Sequence, residues 1–198
     1  MFYVFTFITA YLIAAINPAI LISKKVLKQD IRNLGSKNAG TTNAIRTMGK
    51  GMGALVFVLD LLKVVVSYGV ICFVGWIFKE NISESIKSLY MLASVLGHSY
   101  PVYYGLKGGK GVAVFLMSAI IVDAKIAAIC IALGVIVIVL SRMVSLGSIV
   151  GSAMLVILDI FMNTNYNFIL VTLTVAVVIY NHRTNISRII VGKENKLF

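Results

Sequence analysis

Four polar segments carry nearly all the residues able to do chemistry. They are Gly35–Asn43 with Arg46, Gly97–Pro101 running on to Lys107–Gly111, Ser141–Ser145, and Asn181–Asn185 with Arg188. Lys107-Gly-Gly-Lys-Gly111 precedes an apolar run. Glycines let a backbone approach a ligand closely, amides at a helix amino terminus favour phosphate, and Lys107 and Lys110 add point charges. The segment is not a Walker A loop, because Tyr104 stands at the first glycine position and Gly111 replaces the Ser/Thr. A basic loop that only sets membrane topology is the alternative. In the first segment Ser36, Thr41, Thr42 and Asn43 are of the type that caps a helix, here one starting near Thr42. Arg46 would lie one turn inside it, placed for a bidentate phosphate contact.

His98 and His182 are the only histidines, and both fall in these clusters. His182 could serve as a general base at neutral pH, or as a capping residue. No Cys, His or carboxylate grouping has metal-ligand spacing, and no acidic cluster suggests paired Mg²⁺. Asp60 and Lys63 sit three apart within an apolar run and read as a self-neutralising structural pair.

The elements that must position these groups are apolar. Of 198 residues 60% are hydrophobic and 13% charged, with mean hydropathy +0.97. Soluble domains average about 45–50% and about 25%. This composition excludes an ordinary soluble enzyme, a disordered chain and a polar nucleic-acid-binding domain, so the charge of +11 does not imply a nucleic-acid partner. Apolar runs cover Phe2–Ile22, Gly53–Phe78, Leu89–Tyr104, Val112–Leu140, Gly147–Met162 and Phe168–Tyr180. A span needs about 20 such residues. The first run has no Lys or Arg before it and reads as a retained span, not a signal peptide. Cys72 and Cys130 lie inside apolar runs, which argues against a disulfide framework.

Val112–Leu140 is too long for one ordinary span and holds Asp123 and Lys125 near its middle. As one helix it gives six spans and splits Lys/Arg nine against seven; as a hairpin it gives seven spans and fourteen against three. The positive-inside rule selects the hairpin. The expected fold is therefore an all-α polytopic membrane protein of about seven transmembrane helices, residues 1–198 forming a single domain. Its amino terminus is outside and its carboxyl terminus cytoplasmic. All four polar segments then share the cytoplasmic face, which favours a site where lipid meets cytosol over a transporter or flippase for a phosphorylated molecule. A transporter would place polar groups at midplane and on both faces.

Three stretches, GSKNAGTTNAIRTMG (35–49), GHSYPVYYGLKGGKGVA (97–113) and NHRTNISRIIVGKENK (181–196), resemble the three cytoplasmic motifs of the bacterial acyl-phosphate:glycerol-3-phosphate acyltransferases. Asp60–Lys63 and Arg142–Ser145-Leu also look like that family's intervening segments. The likeness runs through the whole chain in order. It departs at Lys37, Ala39 and Thr41, where the family usually has Gly, Pro and Ala.

The resemblance implies transfer of a fatty acyl group from acyl phosphate to the 1-hydroxyl of glycerol 3-phosphate, giving lysophosphatidic acid and phosphate in the bacterial cell membrane. It implies Ser36, Arg46, His182 and Asn185 as catalytic residues. Lys107, Gly108, Gly109, Lys110, Gly111, Ser145 and Asn43 would hold substrate phosphate, and Glu194 would be structural. The donor is an activated mixed anhydride, so neither metal nor cofactor is required. Functional pairing with the soluble enzyme that makes acyl phosphate is also implied.

Overall fold

The computed structural model describes residues 1–162 and 166–196 and, among these, contains helices and no strand. Ten α-helices follow in order: α1 Phe2–Ala14, α2 Pro18–Val26, α3 Thr41–Met48, α4 Lys50–Phe78, α5 Glu84–Ser99, α6 Val112–Val122, α7 Ala124–Ser141, α8 Val144–Met162, α9 Phe168–Asn181 and α10 Arg183–Ile190. Short 3₁₀ turns cover Ile31–Asn33 and Val102–Tyr104. The connection between the apolar runs Gly147–Met162 and Phe168–Tyr180 lies partly outside the described residues.

The first apolar stretch is longer than its sequence suggests and is broken. Phe2–Val26 is apolar and long enough to cross a membrane, but it divides at Ala15–Asn17. Pro18 cannot continue a helix and instead starts one, while Asn17 Oδ1 caps α2 by accepting the Ile20 amide (3.1 Å). The Asn17 amide group also donates to the Ala39 carbonyl (3.1 Å), which ties the Gly35–Asn43 loop to this break.

A helix break occurs at Asp123, where the hairpin was expected. Asp123 is extended, and its carboxylate accepts the amides of Lys125 (2.8 Å) and Ile126 (3.0 Å). The chain doubles back there, because the first turns of α6 and the last turns of α7 line the same cavity. By length and composition Lys50–Phe78, Ala124–Ser141 and Val144–Met162 are also candidate crossings. The pair α9–α10, bent by 58°, makes a fifth if taken as one. Helices α5 and α6 are shorter, since α5 carries polar residues along its buried length and α6 stops at Asp123.

Helix α5 is the hub, packed against α1, α6 and α9. Gly97 lets it approach α1, where a Cβ would sit 2.2 Å from the Tyr11 carbonyl oxygen. Helices α7 and α8 cross just as closely. A Cβ on Gly147 would lie 2.4 Å from the Gly134 carbonyl oxygen, and one on Gly151 2.9 Å from that of Cys130. The outer surface carries exposed large apolar side chains such as Phe73, Trp76, Leu140 and Phe161, the surface of a protein immersed in lipid.

The α7–α8 crossing leaves no room for a methyl group. Gly147→Ala is expected to destabilise the detergent-solubilised protein by about 1–3 kcal/mol, read as a lowered melting temperature. The same change at Gly69, which has nothing within 4 Å, should be tolerated.

Candidate functional site

One cavity of about 340 Å³ gathers residues from all four polar segments. Ser36, Thr41, Thr42, Asn43 and Arg46 enter from the first segment; His98, Lys110 and Gly111 from the second; Ser145 from the third; His182, Asn185 and Arg188 from the fourth. Below them the cavity runs along the helix bodies, walled by Phe57, Phe115, Leu116, Ile131, Val135 and Ile138. It is lined as deep as Cys130, eleven residues before the end of α7 and so about 16 Å below it at 1.5 Å per residue.

Each segment reaches the cavity for a local reason. Helix α3 starts at Thr41 after an extended Gly40, and no side chain caps it. Asn43, expected to cap a helix or meet phosphate, caps none, since α3 has no side-chain cap. It is fully buried, its Oδ1 accepts the Ser36 amide (2.8 Å), and its Nδ2 donates to the carbonyls of Ile31, Leu34 and Asn38. These bonds fold the loop that presents Ser36. Arg46 is exposed at the rim and has no carboxylate partner among the described residues.

The Lys107–Gly111 loop divides. Lys110 and Gly111 line the cavity; Lys107, Gly108 and Gly109 do not. Lys107 is exposed, and its carbonyl accepts from Arg32 (3.0 Å). The amides of Gly108 and Gly109 donate to the carbonyls of Ser99 (3.0 Å) and His98 (3.2 Å), so neither is open to an anion in this conformation. These two glycines permit a close approach: a Cβ would fall 2.0 Å from the His98 carbonyl oxygen and 2.2 Å from the His98 ring, respectively.

Lys110 Nζ donates to Asn185 Oδ1. Asn185 Nδ2 donates in turn to Glu194 Oε1 (2.6 Å), which also accepts from Ser145 Oγ (2.8 Å), while Glu194 Oε2 accepts from Arg188 Nε (2.8 Å). Burial would raise the Glu194 pKa, but hydrogen bonds from Arg188, Asn185 and Ser145 outweigh it and hold the carboxyl below its usual value. Burial lowers Lys110 to about 8; the charges of Arg188 and Arg46 push the same way, and Glu194 opposes them. His182 is buried, and its Nδ1–H donates to the Val178 carbonyl (2.8 Å), which leaves Nε2 as the ring's acceptor. Arg188 and Glu194 stand in the third motif, yet nothing local marks the contact of Glu194 with Ser145, 49 residues away.

Comparison with known proteins agrees with this geometry. Residues 4–192 match the family model described as glycerol-3-phosphate acyltransferase. The chain belongs to that family. A glycerol-3-phosphate acyltransferase of Thermoanaerobacter pseudethanolicus is 41% identical over 198 residues, covering all of this chain and 96% of that protein. One from Clostridioides difficile is 36% identical, over 98% of this chain and 95% of its own. The crystal structure of PlsY (YgiH), an integral membrane glycerol 3-phosphate acyltransferase in its glycerol 3-phosphate form, superposes with a TM-score of 0.85. It has 34% identity, over 99% of this chain and 96% of that one. Its lysophosphatidic acid form gives 0.82 at 33% identity, covering 99% and 95%. As a member of the family, the present chain is an integral membrane acyltransferase.

If Lys110 holds an anion it must be protonated to do so, and its pKa is lowered to about 8. Affinity for a phosphate monoester should therefore fall as pH rises through about 8, where an ordinary lysine would hold to about 10. Titrating binding between pH 7 and 10 checks this. Lys110→Arg should move the fall to higher pH, since arginine stays charged throughout that range.

Proposed function

We propose that the protein transfers a fatty acyl group from acyl phosphate to the 1-hydroxyl of glycerol 3-phosphate, yielding lysophosphatidic acid and inorganic phosphate. The observation that carries this reading is the division of one cavity. Arg46, Lys110 and Arg188 stand at its polar end and an apolar wall descends from them. Such a cavity suits molecules that are phosphate at one end and hydrocarbon at the other. Thr41 and Thr42, at the uncapped start of α3, add the positive end of a helix dipole.

In the proposed reaction the glycerol oxygen attacks the acyl carbonyl carbon and forms the new ester bond. The bond between that carbon and the bridging phosphate oxygen breaks, and its electron pair leaves with phosphate. Arg46 and Ser36 stabilise the charge that develops on the carbonyl and phosphate oxygens. Lys110 and Gly111 fix substrate phosphate, Ser145 joins them by turning its hydroxyl from Glu194, and Asn185 sets the position of Lys110. His182 Nε2, freed by the Nδ1 bond to Val178, takes the hydroxyl proton; a substrate phosphate oxygen is the competing acceptor. Lys107, Gly108, Gly109 and Asn43 are assigned to building the loops, because their contacts face the protein.

The same reading assigns the chain about seven crossings as one domain in a bacterial cell membrane, with an external amino terminus. The site faces the cytoplasm, within reach of a soluble enzyme that supplies acyl phosphate. The basic residues support it: Lys24, Lys25, Lys28, Arg32, Lys37, Arg46, Lys107, Lys110, Arg142 and those after His182 all belong to segments that border the cavity's polar end or connect to it.

Purified protein given acyl phosphate and glycerol 3-phosphate should form lysophosphatidic acid; turnover only with acyl-CoA would overturn the donor. Arg46→Ala and Lys110→Ala are expected to raise the KM for glycerol 3-phosphate at least about tenfold, as loss of a charge-assisted contact does. Lys107→Ala should change it little. His182→Ala separates the two proton acceptors, since a retained kcat leaves the substrate phosphate as base.

A further inference from the structure

The cavity wall includes two members, Asp60 and His98, of a buried ionic cluster that the reaction described above does not use. Asp60 and Lys63, one turn apart on α4, pair at 2.8 Å. Lys63 Nζ also donates to the Ile16 carbonyl (2.9 Å), a group left outside helix bonding by the α1–α2 break, and lies 2.9 Å from His98 Nδ1. Asp60 Oδ1 is 3.3 Å from the same ring nitrogen. All three side chains are at least nine-tenths buried, at 1%, 8% and 3% exposure. The cluster therefore joins α4, α5 and the broken first stretch at one point.

That point bears on the loop above it. The Gly109 amide donates to the His98 carbonyl, and its Cα lies so close to the imidazole that an added Cβ would be 2.2 Å from Nε2. Gly108 is seated on the next carbonyl, that of Ser99. The following residue is Lys110, whose ammonium crosses to Asn185. The position of the His98 ring thus fixes where the Lys110 side chain starts.

We propose that Asp60, Lys63 and His98 are positioning residues for Lys110, setting the affinity of the site for the phosphorylated acceptor without taking part in bond making. This rests on the assignment of Lys110 to substrate phosphate. A displacement of about 1 Å at a positioning group can cost on the order of 10²-fold, so the cluster acts through geometry and leaves the reacting groups themselves unchanged.

The test is steady-state kinetics on the full-length protein in detergent, with melting temperatures measured alongside. The double variant Asp60→Asn/Lys63→Met removes both charges together and strands neither, so the melting temperature should stay within about 4 °C of wild type. His98→Phe keeps a ring beneath Gly109 but severs it from an intact Asp60–Lys63 pair. Each is expected to raise the KM for glycerol 3-phosphate at least about tenfold, with kcat within about threefold. An unchanged KM in either folded variant overturns the proposal, as does a fall in kcat alone. Failure of both variants to fold also overturns it, by assigning the cluster to the fold. Lys110→Ala run in parallel separates the two readings: if it leaves the KM unchanged, the phosphate assignment fails instead.

Discussion

Cations brought close together inside an apolar body repel one another and lose water. The polar end of this protein is organised by the need to compensate for that. Lys110 is held by the amide oxygen of Asn185, and Asn185 is fixed by Glu194, which also binds Arg188 and Ser145. One carboxylate thereby orders groups from the α7–α8 turn, α10 and the residues after it, and through Asn185 the loop before α6. With Arg46 also at the cavity, the site keeps a surplus of positive charge after Glu194 is counted. The 58° bend after α9 serves the same end, since it turns Asn185 and Arg188 back over the cavity.

The apolar half depends on a different device. Where Gly134, Gly147 and Gly151 bring α7 and α8 together, main chain forms part of the cavity wall. A wall built from backbone has no rotamers to collapse into the space. The cavity can therefore extend down the helix bodies without being filled, while Phe115 and Leu116 of α6 face it from across.

Much of this was legible in the sequence. The four polar clusters, their gathering at helix ends and the three ordered motifs needed only residue types and spacing. The break at Asp123 followed from charge counting across the membrane. Four features were not legible, each for a physical reason. Asn43 looks like a helix cap because an exposed and a buried asparagine have the same formula; only the fold shows three carbonyls around its amide. Gly108 and Gly109 look like an anion cradle because glycine permits close approach without saying to what, and here it is to His98. The apolar wall gave no signal because, in a membrane, residues facing lipid and residues facing a cavity are equally apolar, so periodicity cannot separate them. The Asp60–Lys63 pair was visible at helical spacing, but its third member, 35 residues beyond Lys63, was not.

Helix α6 has only eleven residues and rises about 16 Å, half of a hydrocarbon core about 30 Å thick. On the proposed topology, in which α6 is a crossing, a helix that short would set the polar end of the cavity, which its first residues line, below the level of the headgroups. An acyl chain withdrawn into water costs about 0.8 kcal/mol for each methylene exposed, so a chain of ordinary membrane length could not be lifted to a site at the surface. A floor recessed in this way would remove that desorption step. The soluble reactant would descend to the lipid, and the amphiphilic product would form already at the depth where it stays.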